Sequence, residues 1–376
     1  MKLKDVISTA DMERCGERTL PVLSMTMHDG IVLQAERFKK AIASKDLSSY
    51  KVVRRNQLVV SFPIDEGVLY IQDLVDAGIV SPAYAIWDIH ANMVYPRYLG
   101  MFLRSPRSIQ YYKSKLRGST ARRRTIPRDD FLCMELPEVS IAEQRKICTT
   151  LEKIKIVISE CEQQINRLGE IVKSRFVEMF ESATSIAWES NPVEEICELI
   201  ADCPHTTAQD EGVGYPLVRT PNIGKGRLIY DKMHRVSEEV YNLRNKRAVP
   251  RERDLILARE APAGNIAVIQ KDEKVCLGQR TVLLRPRLAV IDSEYMAYRI
   301  LSEKVQRAIL DYSSGSTVAH LNVREIRKLK LPIPPLALQR EFAAFVEKVD
   351  KLAFAARRRR DVARQLYRAK IQEFFG

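Results

Sequence analysis

The sequence predicts an α+β protein made of two similar halves, each a mixed α/β globular region followed by one long helix. Three observations predict this fold class. Short motifs recur at a nearly constant distance, glycine and proline interrupt short β-like runs within each half, and a long amphipathic stretch ends each half. A chain of 376 residues is also long enough for two domains that each bury a core.

The repeat is visible in pairs of motifs that lie a fixed distance apart. At 197 residues the pairs are Gly118-Ser119-Thr120 with Gly315-Ser316-Thr317, Arg54 with Arg251, Leu58-Val59-Val60 with Leu255-Ile256-Leu257, Gly67 with Gly264, and Tyr98 with Tyr295. At 195 residues they are Leu136-Pro137 with Leu331-Pro332, and Ala142-Glu143-Gln144-Arg145 with Ala337-Leu338-Gln339-Arg340. A distance that is kept over many positions and shifted once is typical of a tandem duplication.

Each half shows the same order of elements. In the first half, β-like runs at 50–53, 57–62 and 78–89 precede a helical stretch at 96–116, whose counterpart is 293–312. The Gly-Ser-Thr turn, a short strand and a proline-containing break follow, and the break gives the next helix a defined start. The predicted domains are therefore globular at 1–138, helical at 139–183, globular at 184–335 and helical at 336–376.

The two long helices are the most regular part of the sequence. Apolar residues in the first of them alternate in steps of four and three, which indicates a coiled-coil seam: Ile147, Leu151, Ile154, Ile158, Cys161, Ile165, Leu168 and Val172. The second carries Phe342, Val346, Val349 and Leu352 on one side. We expect the two helices to pair antiparallel as a rod; the alternative is that each helix packs onto the core of its own domain.

The composition indicates a protein with an acidic partner. The formal net charge is +13, which favours nucleic acid, although a basic protein without such a partner is the alternative. No apolar run is long enough for a membrane span, and the first residues lack the apolar core of a secretory signal. Seven scattered cysteines without a C-x-x-C pair, and five histidines, predict no metal site and a cytoplasmic location.

The sequence contains no catalytic motif that we recognise. It lacks a phosphate-binding Walker sequence, an Asn-Pro-Pro-Tyr-like methyltransferase motif and a spaced acidic set of the nuclease kind. The Gly-Ser-Thr pair fits either a turn at a helix end or a phosphate cradle, and the run 357–360 of four arginines fits either a solvated face or an anion contact. We therefore expect a binding protein that is not itself an enzyme.

Basic and polar side chains of the globular regions are the candidates for DNA contact. Lysine and arginine position a protein on phosphates, whereas arginine, asparagine and glutamine also read base edges. Gln279, Arg280 and Asn222 are the candidate base readers, and Tyr84 stands at the position equivalent to Thr281, next to that pair. The full candidate set is Lys39, Lys40, Arg54, Arg55, Tyr84, Lys113, Lys115, Arg117, Arg122, Arg123, Arg124, Arg219, Asn222, Lys225, Arg227, Arg259, Gln279 and Arg280.

Together these features resemble the DNA specificity subunit of type I restriction-modification systems. The resemblance rests on the paired Gly-Ser-Thr turns, on Leu331-Pro332-Ile333-Pro334-Pro335-Leu336 leading through Gln339 into a helix, and on Trp188 followed by Val193-Glu194-Glu195-Ile196. It covers essentially the whole chain. The first copy departs from the pattern, since it has Val139-Ser140 in place of the double proline and no tryptophan before Lys2-Leu3-Lys4-Asp5-Val6-Ile7.

The resemblance implies two target recognition domains, each reading half of an asymmetric bipartite site in double-stranded DNA. It implies that the two helices set the spacing between the half-sites and dock two methyltransferase subunits. Adenosylmethionine, ATP and Mg²⁺ are then expected in the methyltransferase and motor-nuclease subunits. The alternative is a coiled-coil adaptor protein that does not read DNA sequence.

Overall fold

A computed structural model describes residues 1–27, 29–37, 46–116, 126–182, 188–260, 262–312 and 320–376 of the chain. Both Gly-Ser-Thr turns lie outside these residues. The chain forms two compact units, one of Met1–Glu162 with Arg357–Gly376 and the other of Gln163–Ala356. Each unit therefore contains one globular region together with part of each long helix.

The first unit is built on an antiparallel four-stranded sheet. Its strands are β1 (Ile7–Thr9), β2 (Leu23–Met25), β3 (Ile31–Leu33), β4 (Lys51–Arg54), β5 (Leu58–Val60), β6 (Leu69–Ile71), β7 (Ala77–Val80) and β8 (Ala85–Ile89). Its helices are α1 (Leu3–Val6), α2 (Gln34–Arg37), α3 (Pro96–Phe102), α4 (Pro106–Lys115), α5 (Arg128–Leu132) and the first part of α6 (Ile141–Phe180). The main sheet has the order β1-β8-β5-β6, and two ribbons pair β2 with β3 and β4 with β7.

The second unit contains a larger, five-stranded sheet that is antiparallel except for one parallel pair of strands. Its strands are β9 (Ser190–Pro192), β10 (Cys197–Asp202), β11 (Tyr215–Val218), β12 (Lys225–Gly226), β13 (His234–Val236), β14 (Leu255–Ala258), β15 (Ile266–Val268), β16 (Cys276–Leu277), β17 (Thr281–Pro286) and β18 (Lys330–Pro332). Its helices are α7 (Val193–Ile196), α8 (Glu238–Arg244), α9 (Ser293–Leu301), α10 (Glu303–Tyr312), α11 (Val323–Lys328) and the first part of α12 (Leu336–Phe375). The sheet orders are β10-β17-β14-β15-β12, β13-β11-β16 and β18-β9.

Strand register repeats between the two units at the predicted distance. Leu58 pairs with Trp87 and with Ile71, and the residues 197 positions later pair in the same way, Leu255 with Leu284 and with Val268. A shift of one residue would turn every side chain of a strand to the other face of the sheet, so a shared register means a shared inward face. The α+β class is as predicted.

Two predicted elements are divided in the structure. The stretch 96–116 forms α3 and α4 with a break before Pro106, where Ser105 Oγ accepts a hydrogen bond from Ser108 N at 3.3 Å and caps α4. Its counterpart in the second unit breaks at Ser302, between α9 and α10. Likewise the run 78–89 is divided into β7 and β8 by the turn at 81–84.

A buried glutamine ties each long helix to the globular part of its unit. In the first turn of α6, Gln144 Oε1 accepts a hydrogen bond from Tyr95 N at 2.7 Å, and Gln144 Nε2 donates to Val139 O at 2.8 Å. In the first turn of α12, Gln339 Oε1 accepts from Asp292 N at 2.7 Å and Gln339 Nε2 donates to Pro334 O at 2.7 Å. Both glutamines are fully buried, and we call each set of contacts a glutamine clasp.

The predicted seam of α6 is largely buried, and its contacts with α12 run antiparallel. Ile147, Leu151, Ile154, Cys161, Leu168 and Val172 are buried, whereas Ile158 and Ile165 are half-buried. In the first unit Lys155 lies over the Tyr367 ring and Glu162 pairs with Arg364 at 2.6 Å. In the second unit Arg175 pairs with Glu341 at 3.0 Å.

The helices also complete the globular cores, which was the alternative arrangement. Phe342 and Val346 of α12 share the large core of the second unit with strand residues such as Leu255. Phe375, at the end of the same helix, packs in the first unit with its ring centroid 5.3 Å from that of Tyr98. The pairing and the packing onto the domains therefore occur together.

The seam departs from the prediction in two places. Beyond Val172 the buried side of α6 continues through Phe176 and Phe180, in steps of four, because aromatic rings of the second unit surround those positions. In α12, Phe342, Val346 and Val349 are buried as predicted, but the next seam residue is Ala353. Leu352 itself is 56% exposed and does not belong to the buried seam.

Candidate nucleic-acid interface

Five parts of the second unit meet at one edge of its main sheet. Antiparallel pairing of Asp202 with Val282 and of Ala258 with Thr281 places the ends of β10 and β14 beside the start of β17. Strand β11 runs parallel to β16, so Arg219, which follows β11, lies beside Gly278. We call the segments 202–207, 259–260 and 278–280 together with Arg219 and His320 the loop edge.

The turn at 278–280 has a fixed conformation. A Cβ atom on Gly278 would lie 2.6 Å from the Val218 carbonyl oxygen, which only glycine avoids. Thr281 is buried, and its hydroxyl donates to Gly278 O at 2.9 Å. Arg280 has a φ of +64°, a value that side-chain-bearing residues rarely adopt, and its carbonyl oxygen accepts from Arg259 N at 2.9 Å.

Gln279 and Arg244 fix the neighbouring loop at 202–207. Gln279 Nε2 donates to His205 O at 2.7 Å, and Gln279 Oε1 accepts from the Thr207 hydroxyl at 3.1 Å. From below, buried Arg244 donates to Leu277 O at 2.6 Å and to Thr206 O at 3.1 Å. Its burial also lowers the pKa of the Arg244 guanidinium. Sequence reasoning missed this role, since nothing in the sequence separates Arg244 from the exposed basic residues around it.

A chain of contacts between charged and polar side chains runs along the loop edge. Arg259 is almost fully buried; it donates through Nη1 to Asp202 Oδ1 at 3.1 Å, and its Nη2 lies 3.3 Å from His320 Nε2. The other ring nitrogen of His320 lies 2.5 Å from Glu260 Oε1. Glu260 Oε2 then pairs with Arg280 Nη1 at 2.9 Å. The chain therefore leads from a buried arginine to an exposed one.

The structure corrects three of the predicted contacts. Asn222 is 2% exposed, and its amide accepts from Arg219 N at 3.2 Å and donates to Ile229 O at 3.1 Å, so it holds its own loop. Arg227 is mostly buried between Glu294 Oε2 at 2.9 Å and Asp350 Oδ2 at 2.9 Å. The donors of Arg259 are taken up within the chain of contacts. None of the three presents a free group to a ligand in this conformation.

The remaining candidates of the second unit lie in two places. Arg219 belongs to the loop edge, where its side-chain Nε is buried and, within the residues that the structure describes, has no hydrogen-bond partner. Gln279 and Arg280 belong to the same edge. Lys225 is exposed on β12, at the outer side of the main sheet.

In the first unit the predicted residues are not all brought together. Arg54 and Arg55 lie at the turn before β5, at the opposite end of that strand from Tyr84, and pair with Glu13 at 2.9 Å and Asp76 at 3.0 Å. Tyr84 is half-buried against the core, and its carbonyl oxygen accepts from Lys51 Nζ at 2.7 Å. Lys113 and Lys115 lie in the last turn of α4. The predicted contacts outside the described residues are Lys39, Lys40, Arg117, Arg122, Arg123 and Arg124.

The described residues contain neither a candidate membrane span nor a candidate metal site. No helix among them has the length and hydropathy to cross a membrane. Nor do the described ranges bring three or more His, Cys, Asp or Glu side chains together in a way that could hold a metal ion. The fold and the loop edge thus define a class of protein: two related α+β units, joined by long helices, with a polar loop surface suited to binding.

Comparison with known proteins shows which proteins this chain is similar to. Residues 186–362 match the model of the type I restriction modification DNA specificity domain. Two Methanocaldococcus jannaschii proteins are similar: the MjaX specificity subunit, 23% identical over half of this chain and 45% of its own length, and the MjaVIII specificity subunit, 22% identical over 69% of this chain and 66% of its own length. The chain thus spans about half to two thirds of these curated relatives.

Solved structures show the same fold over the whole chain. The type I restriction-modification S subunit from M. genitalium has a TM-score of 0.59 at 12% identity, and covers 100% of this chain and 95% of its own. A chain from a study of type I complex assembly and conformational transition has a TM-score of 0.56 at 16% identity, and covers 100% and 96%. Residues 186–362 thus match the type I DNA specificity domain, and over its whole length the chain is similar in fold to these subunits.

Proposed function

We propose that this chain is the non-catalytic subunit that selects the DNA sequence for a type I restriction-modification complex. Each unit reads one half of an asymmetric bipartite site. The loop edge of the second unit carries the proposal most directly, because it places Arg219, Gln279 and Arg280 together on a fixed set of loops. The net charge of +13 supports binding to a polyanion.

The long helices supply the other two parts of the proposed function. A continuous helix rises ~1.5 Å per residue, so the 40 residues of α6 extend over ~60 Å and give the half-site spacing a physical basis. Large apolar side chains are exposed on both helices, among them Ile156, Leu352, Phe354 and Val362. Surfaces of this kind mark protein contacts, which supports docking of two methyltransferase subunits there.

The cofactors belong to the partner subunits in this proposal. Adenosylmethionine is bound by the methyltransferase subunits, and ATP with Mg²⁺ by the motor-nuclease subunits that join them. The chain itself contributes DNA reading, spacing and docking, and its place of action is the cytoplasm. An adaptor protein without DNA reading explains the helices but not the loop edge.

The decisive experiment is to co-express the chain with its cognate methyltransferase subunit and to map methylated adenines across the host genome. We expect one bipartite motif with a fixed spacer. Methylation without a bipartite motif, or the same motif when the chain is omitted, contradicts the proposal.

A deletion in the helices tests the spacing. Removing one heptad between Ile147 and Val172, together with the heptad of α12 that faces it, shortens the paired helices by ~10 Å, about three base pairs at ~3.4 Å each. We expect a motif with a shorter spacer, or loss of methylation. An unchanged motif and spacer would show that the helices do not set the distance. Substitution of exposed polar residues on the same helices is the control.

A further inference from the structure

We propose that Arg280 specifies one guanine in the half-site read by the second unit, with Glu260 and Gln279 as positioning residues. This inference rests on the proposed function and names the residue that carries part of its specificity. Among the basic residues of the loop edge, Arg280 combines a fixed backbone with an exposed guanidinium, as the following contacts show.

The backbone of Arg280 is held on both sides. Gly278 before it has no room for a Cβ atom, and Thr281 after it is buried and hydrogen-bonded to Gly278. The amide of Gln279 spans to the loop at 205–207. Because this turn already fixes the backbone of Arg280, little further conformational freedom is lost when a ligand binds. This favours affinity and a single orientation of the side chain.

The guanidinium of Arg280 is open to a ligand. Its side chain is 62% exposed, and its ion pair with Glu260 uses Nη1. Arginine has five N–H donors in a planar fork, so a pair of parallel donors stays available beside this contact. In the major groove, guanine presents O6 and N7 as two neighbouring acceptors, and the two-bond contact of arginine with them distinguishes guanine from the other bases.

The contact with Glu260 sets the orientation of the Arg280 guanidinium and is more than a solvent-exposed ion pair. Its carboxylate is mostly buried, with Oε1 against His320 and Oε2 against Arg280. Behind His320, Arg259 is fixed by Asp202 and by a bond from Nε to Leu321 O at 2.9 Å. The plane of the Arg280 fork is therefore set by residues that do not themselves reach the ligand.

The other arginines near this edge are less suited to the same task. Arg259 and Arg244 are buried and bonded to protein groups, and Arg227 is held by two carboxylates. The side chain of Arg219 is half-buried against Gly278. A base edge approaching the loop edge thus meets Arg280 first.

The test compares methylation motifs of the co-expressed complex for the wild type, Arg280→Ala, Arg280→Lys and the control Arg287→Ala. Arg287 is an exposed arginine near the opposite end of β17. We expect Arg280→Ala and Arg280→Lys to relax one position of one half-site from guanine to several bases. On duplexes that differ only there, the preference for guanine should fall about ten- to a hundredfold. Arg287→Ala should keep the full motif.

Each result separates the inference from the function. A lysine keeps the charge but not the two-bond geometry, so a full motif with Arg280→Lys identifies a phosphate contact and overturns the inference, even where Arg280→Ala methylates nothing. Equal relaxation at several positions, or in both half-sites, also overturns it. If the wild-type chain directs no bipartite motif, the proposed function is contradicted. If the wild type directs a bipartite motif and both Arg280 variants keep it unchanged, only the inference about Arg280 is contradicted.

Discussion

Replacing Gln339 by leucine should destabilise the second unit more than any surface change of the same kind. The substitution keeps the side chain similar in size but makes it apolar, and so removes every hydrogen bond of the glutamine clasp. Asp292 N and Pro334 O, both 2.7 Å from the Gln339 amide, lose their partner in a buried place, and Val290 O, at 3.2 Å, loses it in a partly buried one.

The expected loss follows from those three contacts. Each buried polar group that loses its hydrogen-bond partner costs about 1–3 kcal/mol. The bond to Val290 O is the longest of the three and should contribute least. We therefore expect a decrease of about 3–5 kcal/mol in the free energy of unfolding. Gln144→Leu in the first unit removes two comparable bonds, to Tyr95 N and Val139 O, and should cost about 2–4 kcal/mol.

The two tryptophans of the chain allow each unit to be followed separately. Trp188 packs against Phe180 in the second unit, with ring centroids 6.0 Å apart, and Trp87 packs against Phe131 in the first, at 5.8 Å. Urea unfolding is measured by fluorescence, with Trp87→Phe used when Trp188 reports and Trp188→Phe used when Trp87 reports. The control is Gln164→Leu, at an exposed position of α6 in the second unit, which should stay within about 0.5 kcal/mol of the parent.

A small effect would refute the reasoning. If Gln339→Leu lowered the free energy of unfolding by less than about 1 kcal/mol, the clasp would not be the tie between α12 and the globular part that its burial and distances indicate. The same holds if Gln339→Leu and Gln164→Leu had equal effects.

Three other outcomes follow from contacts of the second unit. Arg227→Met leaves Glu294 buried without its cation and should cost about 3–5 kcal/mol at pH 8. Burial raises the pKa of Glu294 and Arg227 opposes this, so the variant carboxyl takes up a proton more readily; urea unfolding should show a smaller loss at pH 5, and an equal loss at both pH values would contradict this. Gly278→Ala forces the turn away from Val218 O and should relax the methylation motif in one half-site, whereas Gly169→Ala, at a position with open space, should not. Leu352→Ser together with Phe354→Ser should leave the free energy of unfolding within about 0.5 kcal/mol of the parent yet weaken co-purification with the methyltransferase subunit, and unchanged co-purification would argue against docking on this face.

The sequence allowed the repeated framework to be predicted because the same physical constraints act twice. Strand register is set by which side chains face the core, so pairs such as Leu58 and Leu255 kept both their apolar character and their partners. Gln144 and Gln339 were identified as equivalent from their motif. Their burial could not be foreseen, since a glutamine at the start of a helix is usually exposed.

The loop edge was predictable only in part because its partners come from distant positions. Gln279, Arg280 and Arg219 were found as polar residues between strands. Whether an arginine is exposed or buried, however, depended on carboxylates far along the chain, as with Arg227 and Asp350 or Arg259 and Asp202. Periodicity likewise favoured the larger Leu352 over Ala353 at the seam, although the position facing the partner is occupied by the smaller residue.

The first unit is formed by residues 1–162 together with 357–376, and this affects the order in which the units can fold during synthesis. Domains usually fold in the order in which they are made. Here the second unit, 163–356, is continuous, whereas Phe375 belongs to the core that Leu3 and Tyr98 help to form. On the ribosome, the unit that begins first must therefore wait for the final turns of α12, and its unfinished apolar face is exposed for the whole time that the second unit is being made.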